Sequence, residues 1–166
     1  MYIYCIFCET QRCTRIAEVL EACGFDRAFS PKLLRRIRKK GQNLEVVVDL
    51  LPGYVFAYSE EEAPGLAPYR WIDGIIREAG RQDERYDLAG DDRAFAEQLL
   101  AKDGYIGSLT LTDTPEGPVL NDPLFSTVGG RITAVDRRKG RARVDYRFNG
   151  KSFHTWIAIE PEDKES

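Results

Sequence analysis

Residues 50–58 read LLPGYVFAY, and the reading of this stretch decides the fold. Seven of its nine residues are apolar or aromatic, as in a buried strand, yet Pro52 and Gly53 sit inside it. Proline donates nothing to a β-ladder, and glycine gives up backbone entropy without packing anything. The pair therefore marks an edge, a bulge or a kink in a long strand over 44–58. Beyond the break, alternation puts Tyr54, Phe56 and Tyr58 on one face and Val55 and Ala57 on the other. Alternation alone leaves open whether both of these faces are core.

Upstream, residues 2–8 form a short apolar, aromatic run that suits a buried strand. Thr10 is placed to cap a helix whose stripe is Cys13, Ile16, Ala17, Leu20 and Cys23, with Gly24 as its stop. The segment LLRRIRKK allows either a basic strand or a helical turn, and Gly41-Gln42-Asn43 is a turn. Downstream, 60–68 reads as a polar loop. Residues 69–79 read as a helix with Trp71, Ile72, Ile75 and Ile76 inward. Asp91 is expected to cap a second packing helix carrying Phe95, Ala96, Leu99 and Leu100 and ending near Gly104.

From Tyr105 the texture changes. Residues 131–135, 142–148 and 152–159 read as three short strands, separated by the turn signals Lys139-Gly140 and Asn149-Gly150. The middle one alternates, with Ala142, Val144, Tyr146 and Phe148 opposite Arg141, Arg143, Asp145 and Arg147. A small all-β barrel follows from this pattern. The expected division is a domain over 1–107, a linker over 108–117 and a barrel with an acidic tail over 118–166.

A chain of 166 residues with 43% hydrophobic and 31% charged residues has a globular composition. It shows no apolar run long enough to span a bilayer and no leader pattern, so a soluble, cytoplasmic, membrane-free protein is expected. The net charge of -3 hides a segregation. Lys32, Arg35, Arg36, Arg38, Lys39 and Lys40 form one basic stretch without an acid. Residues 131–151 hold eight basic residues against Asp136 and Asp145. Two such stretches allow local contact with nucleic acid; solvated charged faces are the plainer alternative.

Cys5, Cys8, Cys13 and Cys23 suggest a metal site by their spacing, but Cys5 and Cys8 would point to opposite faces of a strand. Cys13 and Cys23 fit a helix stripe, so small buried hydrophobes are the expected role, with no metal and no cofactor. His154 is the only histidine, and no phosphate-binding loop, dinucleotide fingerprint or nucleophile elbow is present. The weight moves from catalysis to binding, and no enzyme is expected.

The strand, the helix, the basic connection and then Leu50-Leu51-Pro52-Gly53-Tyr54-Val55-Phe56 resemble the N-terminal domain of the NusG family of transcription elongation factors. Gly129-Gly130-Arg131-Ile132-Thr133-Ala134-Val135-Asp136 resembles that family's KOW motif, and Asn121-Asp122-Pro123-Leu124 resembles the approach to it. Cys8-Glu9-Thr10 and VDRRKGRARV look most like the LoaP-type antitermination branch, whereas the family's segment around 75–90 is missing.

The resemblance implies an α+β NGN-like domain, an antiparallel sheet flanked by helices, followed by an SH3-like KOW barrel. It implies a monomer that seats the clamp helices of RNA polymerase and promotes processive elongation or antitermination. Tyr4, Phe7, Pro52, Gly53, Tyr54 and Phe56 are the implied polymerase-binding residues. Lys32, Arg35, Arg36, Arg38, Lys39 and Lys40 would lie near DNA. Arg137, Arg138, Lys139, Arg141 and Arg143 would meet RNA or DNA phosphates. Docking of the barrel to Rho or a ribosomal protein is the family's other use of it. An RNA-binding barrel module without polymerase docking is the alternative function.

Overall fold

Pro52 and Gly53 form a tight turn. The Tyr54 amide donates to the Leu51 carbonyl at 3.0 Å, and Gly53 adopts φ +91°, the combination of a type II turn with proline second and glycine third. Only glycine suits that position. A Cβ there would sit 3.0 Å from the Phe7 ring and 3.1 Å from the Cys8 carbonyl oxygen. The Gly53 carbonyl in turn accepts from the Cys8 amide at 2.6 Å. The expected long strand is therefore two strands, Gln42–Asp49 and Tyr54–Ser59, separated by the turn.

The computed structural model describes residues 1–62, 74–79 and 88–161. Among them the chain is mixed α/β, mostly sheet with two α-helices. In chain order the strands are β1 (Tyr2–Cys8), β2 (Arg27–Phe29), β3 (Lys32–Lys39), β4 (Gln42–Asp49), β5 (Tyr54–Ser59) and β6 (Ile75–Ala79). They continue as β7 (Tyr105–Ile106), β8 (Leu109–Thr114), β9 (Gly117–Leu120), β10 (Arg131–Asp136), β11 (Arg141–Phe148) and β12 (Lys151–Pro161). The helices are α1 (Cys13–Ala22) and α2 (Gly90–Ala101). Contacts gather the chain into two units that interleave in sequence, Met1–Pro31 with Leu51–Gly104, and Lys32–Leu50 with Tyr105–Ser166.

The first unit is a sheet of order β2-β5-β1-β6, with β1 antiparallel to both β5 and β6. Tyr4, Ile6 and Cys8 of β1 and Val55 and Ala57 of β5 share one face. They pack against Cys13, Ile16, Ala17 and Leu20 of α1. The other face carries Ile3, Cys5, Tyr54, Phe56 and Tyr58, all buried. There the Tyr58 hydroxyl donates to the Ala96 carbonyl of α2 at 2.7 Å, and burial raises the Tyr58 phenol well above its ordinary pKa. Phe29 of β2 lies 6.4 Å from Phe56 and 5.3 Å from Tyr58 between ring centroids.

Three sequence expectations are corrected here. Residues 75–79 form β6 and not a helix: the apolar pair Ile75-Ile76 fits either period, and pairing with β1 settles it. Trp71 and Ile72 lie outside the described residues. Thr10 opens a 3-10 turn, Thr10–Arg12, and the α-helix begins at Cys13; Cys23 follows its end and is exposed. Asp91 lies inside the first turn of α2, where its charge and that of Asp92 face the helix's positive end, and Ala89 is the cap.

In the second unit β3 and β4 form an antiparallel hairpin, and β7 pairs in parallel with the start of β3. The basic segment is thus strand. Its turn residues Lys40 and Gly41 have φ +51° and +76°, the signature of a two-residue hairpin turn. The remaining five strands form a nearly closed, barrel-like sheet of order β10-β11-β12-β8-β9. Ala142, Val144, Tyr146 and Phe148 of β11 point inward and are buried with Leu109, Leu111, Phe125 and Ile157. Much of the stretch 108–117 is strand of this sheet, as β8 and the start of β9, and the β3–β4 hairpin groups with it.

Candidate nucleic-acid interface

The two basic stretches meet within the second unit. An open groove of about 510 Å³ is lined by Arg36, Asn43 and Glu45 of the β3–β4 hairpin, by Arg137, Arg138, Lys139 and Gly140 of the β10–β11 turn, and by Glu160. The turn is closed by the Gly140 amide donating to the Arg137 carbonyl at 3.3 Å. The Lys139 amide donates to Asp136 Oδ1 at 3.1 Å.

Arg36 is the fixed point of this groove. Its Nε donates to Glu45 Oε1 at 3.1 Å, and Nη1 donates to the Gly140 and Ile159 carbonyls at 3.0 and 2.8 Å. Nη2 donates to Ser108 Oγ at 3.1 Å and to Glu160 Oε1 at 2.5 Å. A guanidinium has five N–H donors, and all five are committed. A Cβ at Gly140 would come within 2.7 Å of Nη1, so the glycine admits the clamp. The Glu160 carboxyl is held below its usual range, first by the hydrogen bond from Arg36 and then by that from Ser108. The same pair raises the Arg36 pKa.

The expected cations accordingly divide. Lys32 is paired with Asp49 across the hairpin, and Arg35 reaches the Thr155 hydroxyl at 3.4 Å. With Arg36 they are half-buried strand residues, so the expectation that all six basic residues of 32–40 face a nucleic acid is corrected for these three. Arg38, Lys39 and Lys40 are exposed at the hairpin end and make no ion pair among the described residues. Arg38 pairs in register with Asn43 and shares the strand face of Arg36, which turns it toward the groove.

At the β10–β11 turn, Arg138 is exposed, and neither its side chain nor that of Lys139 has an ion-pair partner among the described residues. Arg137 meets Asp113 at 2.6 Å with both side chains open to solvent, a pair of small net worth. Arg141 stacks over the Trp156 ring at 4.4 Å and lies 3.9 Å from Asp136. Arg143 lies 3.3 Å from Asp145. The groove thus presents Arg137, Arg138 and Lys139 around a neutralised Arg36, with Arg38 exposed on the neighbouring end of the hairpin.

The aromatic residues behave differently. Tyr4, Tyr54 and Phe56 are 3%, 2% and 0% exposed, so the expected open aromatic face is corrected: these rings are core. Gly53 is buried as well. Phe7 is half-buried, 5.3 Å from the Tyr54 ring in an edge-on arrangement, and Pro52 is exposed at the turn. These two form the accessible rim of the predicted site.

Cys5, Cys8 and Cys13 are buried thiols. Burial raises Cys5 well above its ordinary pKa, and the hydrogen bond with Cys13 raises Cys8. Among the described residues no group of three or more His, Cys, Asp or Glu side chains is placed to hold a metal, and no helix is long and apolar enough to cross a membrane. The sequence reading missed Ser108 and Glu160 as partners of Arg36. Only the run of charge in 32–40 hinted that an acid from elsewhere must approach it. No protein-family model matches the chain, and no curated protein is significantly similar to it.

Proposed function

We propose that this protein is a transcription elongation or antitermination factor of the NusG type, not an enzyme, that binds RNA polymerase and holds nucleic acid in the groove between the β3–β4 hairpin and the β10–β11 turn. The observation that carries the nucleic-acid part is the convergence of two basic stretches, about a hundred residues apart in sequence, on one groove whose central arginine is already neutralised. Unpaired cations at its rim gain from releasing counterions when they meet phosphates. The polymerase part rests on the likeness of LLPGYVF and of 129–136 to family motifs, with the Phe7–Pro52 rim as the contact.

The burial of Tyr54 and Phe56 favours a second reading, an RNA-binding barrel module without polymerase docking. Purified protein mixed with RNA polymerase on a terminator template separates the two. Co-migration and readthrough are expected. Absence of both, with RNA binding retained, leaves the second reading.

A further inference from the structure

We propose that the outward face of the barrel carries a second phosphate-binding site, formed by Arg131, Arg147, Ser152 and His154, and that a single strand of nucleic acid reaches it along β11 from the 137–140 turn. This rests on the nucleic-acid reading above and adds a site that none of the motifs marks. The residues line a concavity of about 410 Å³. Strand register builds it. Arg131, Asp145 and His154 are cross-strand neighbours in one row, and Arg147 and Ser152 are neighbours in the next. Directly paired residues share a face, so these polar side chains stand together on the outside of the sheet.

Arg131 and His154 are exposed and make no hydrogen bond or ion pair among the described residues. Arg147 is also exposed and gives one bond, from Nη2 to the Gly150 carbonyl at 3.1 Å, which leaves most of its donors unused. Asp145 is the one acid in the row. It meets Arg143 and the Thr133 hydroxyl, each at 3.3 Å and both through Oδ1, and makes no ion pair with Arg131 or Arg147 among the described residues. Two guanidinium groups, an imidazole and a hydroxyl line one concavity with a single carboxylate, a donor-rich lining that suits an oxyanion.

Between this site and the turn, the outward face of β11 carries Arg141 and Arg143. Alternate residues of a strand recur about every 7 Å, close to the phosphate repeat of an extended single strand, and Arg141 to Arg147 spans about 20 Å. The half-buried Trp156 lies on the same face beneath the Arg141 guanidinium. A cationic row with an interleaved ring suits a single strand better than a rigid duplex.

His154 is the only histidine, so its imidazole signals in a proton–carbon NMR spectrum report on the site without ambiguity. The full chain is titrated at low salt with a single-stranded oligonucleotide of about ten nucleotides, with inorganic phosphate and with an acidic peptide. The oligonucleotide is expected to move the imidazole signals saturably. Arg131→Glu with Arg147→Glu should abolish the shift and weaken binding about tenfold, and Asp145→Asn should tighten it severalfold. Unmoved imidazole signals, with binding still lost on reversing Arg137, Arg138 and Lys139, overturn the second site and leave the proposed function standing. A wild-type chain that binds no oligonucleotide overturns the nucleic-acid reading itself. Inorganic phosphate or the acidic peptide acting as tightly as the oligonucleotide also overturns the proposal, because the site then reads a free anion or a protein.

Discussion

The family resemblance implies binding surfaces on both the aromatic strand Tyr54–Ser59 and the basic strand Lys32–Lys39, and the fold treats them in opposite ways. The aromatic strand lies in the interior of its sheet, flanked by β1 and β2, with α1 against one face and an α2 carbonyl bonded to Tyr58 on the other. The basic strand keeps one end in water and spends its middle on fixed acceptors. The difference is one of directionality. Apolar surface is stabilised by any apolar cover, so a rich aromatic run draws elements onto both faces. A guanidinium is satisfied only by acceptors in the right places, and once its five donors are used the next cation along is left for solvent or a ligand.

The sharpest way to break this comparison is Phe56→Ala. If the ring is core, truncation costs about 3–5 kcal/mol in chemical denaturation, and the proposed polymerase binding changes only as the folded fraction changes. A stable, folded variant that has lost polymerase binding would restore Phe56 to the docking surface. Smaller, but diagnostic within one strand face, is Arg36→Ala against Arg38→Ala. Removing Arg36 takes a donor from two backbone carbonyls and two carboxylates, of which Gly140 keeps the Ile159 amide and Glu160 keeps the Ser108 hydroxyl, and is expected to cost about 2 kcal/mol. Removing Arg38 should change stability by less than about 0.5 kcal/mol.

The smallest expected effect is on acid stability. The folded-state pKa of Glu160 is depressed by Arg36, so the pair contributes stability above the ordinary glutamate value of 4.5 and loses it as pH falls through the lowered folded value. Because Glu160 is exposed, the contribution is below about 1 kcal/mol. The melting temperature of the wild type should fall more than that of Glu160→Gln between about pH 5 and about pH 3. Parallel curves would remove Glu160 from the clamp.

How much of this could be read from residues follows the range of the interactions. The Pro52-Gly53 break and the Asn149-Gly150 hairpin were legible because four neighbouring residues set a turn. The alternation in 142–148 was legible because one buried face imposes a period of two. The strand at Ile75–Ala79 was not, since only a partner some seventy residues away distinguishes it from a helical turn. At the site, charge segregation was visible while its division was not. Nothing local to Arg36 announces Gly140, Ile159 or Glu160, so a sixfold basic run looked uniform when half of it is structural.

The measurement that bears most directly on this division is the salt dependence of affinity for a single-stranded oligonucleotide, comparing the wild type with Arg138→Ala/Lys139→Ala and with Arg36→Gln. With about 0.7 counterions released per phosphate contact, the double variant at the turn should lower the slope of log K against log salt by about 1.4. Arg36→Gln should leave the slope unchanged once the folded fraction is accounted for. An unaltered slope in the turn variant, or an equal loss from Arg36→Gln, would contradict the separation of clamp from contact.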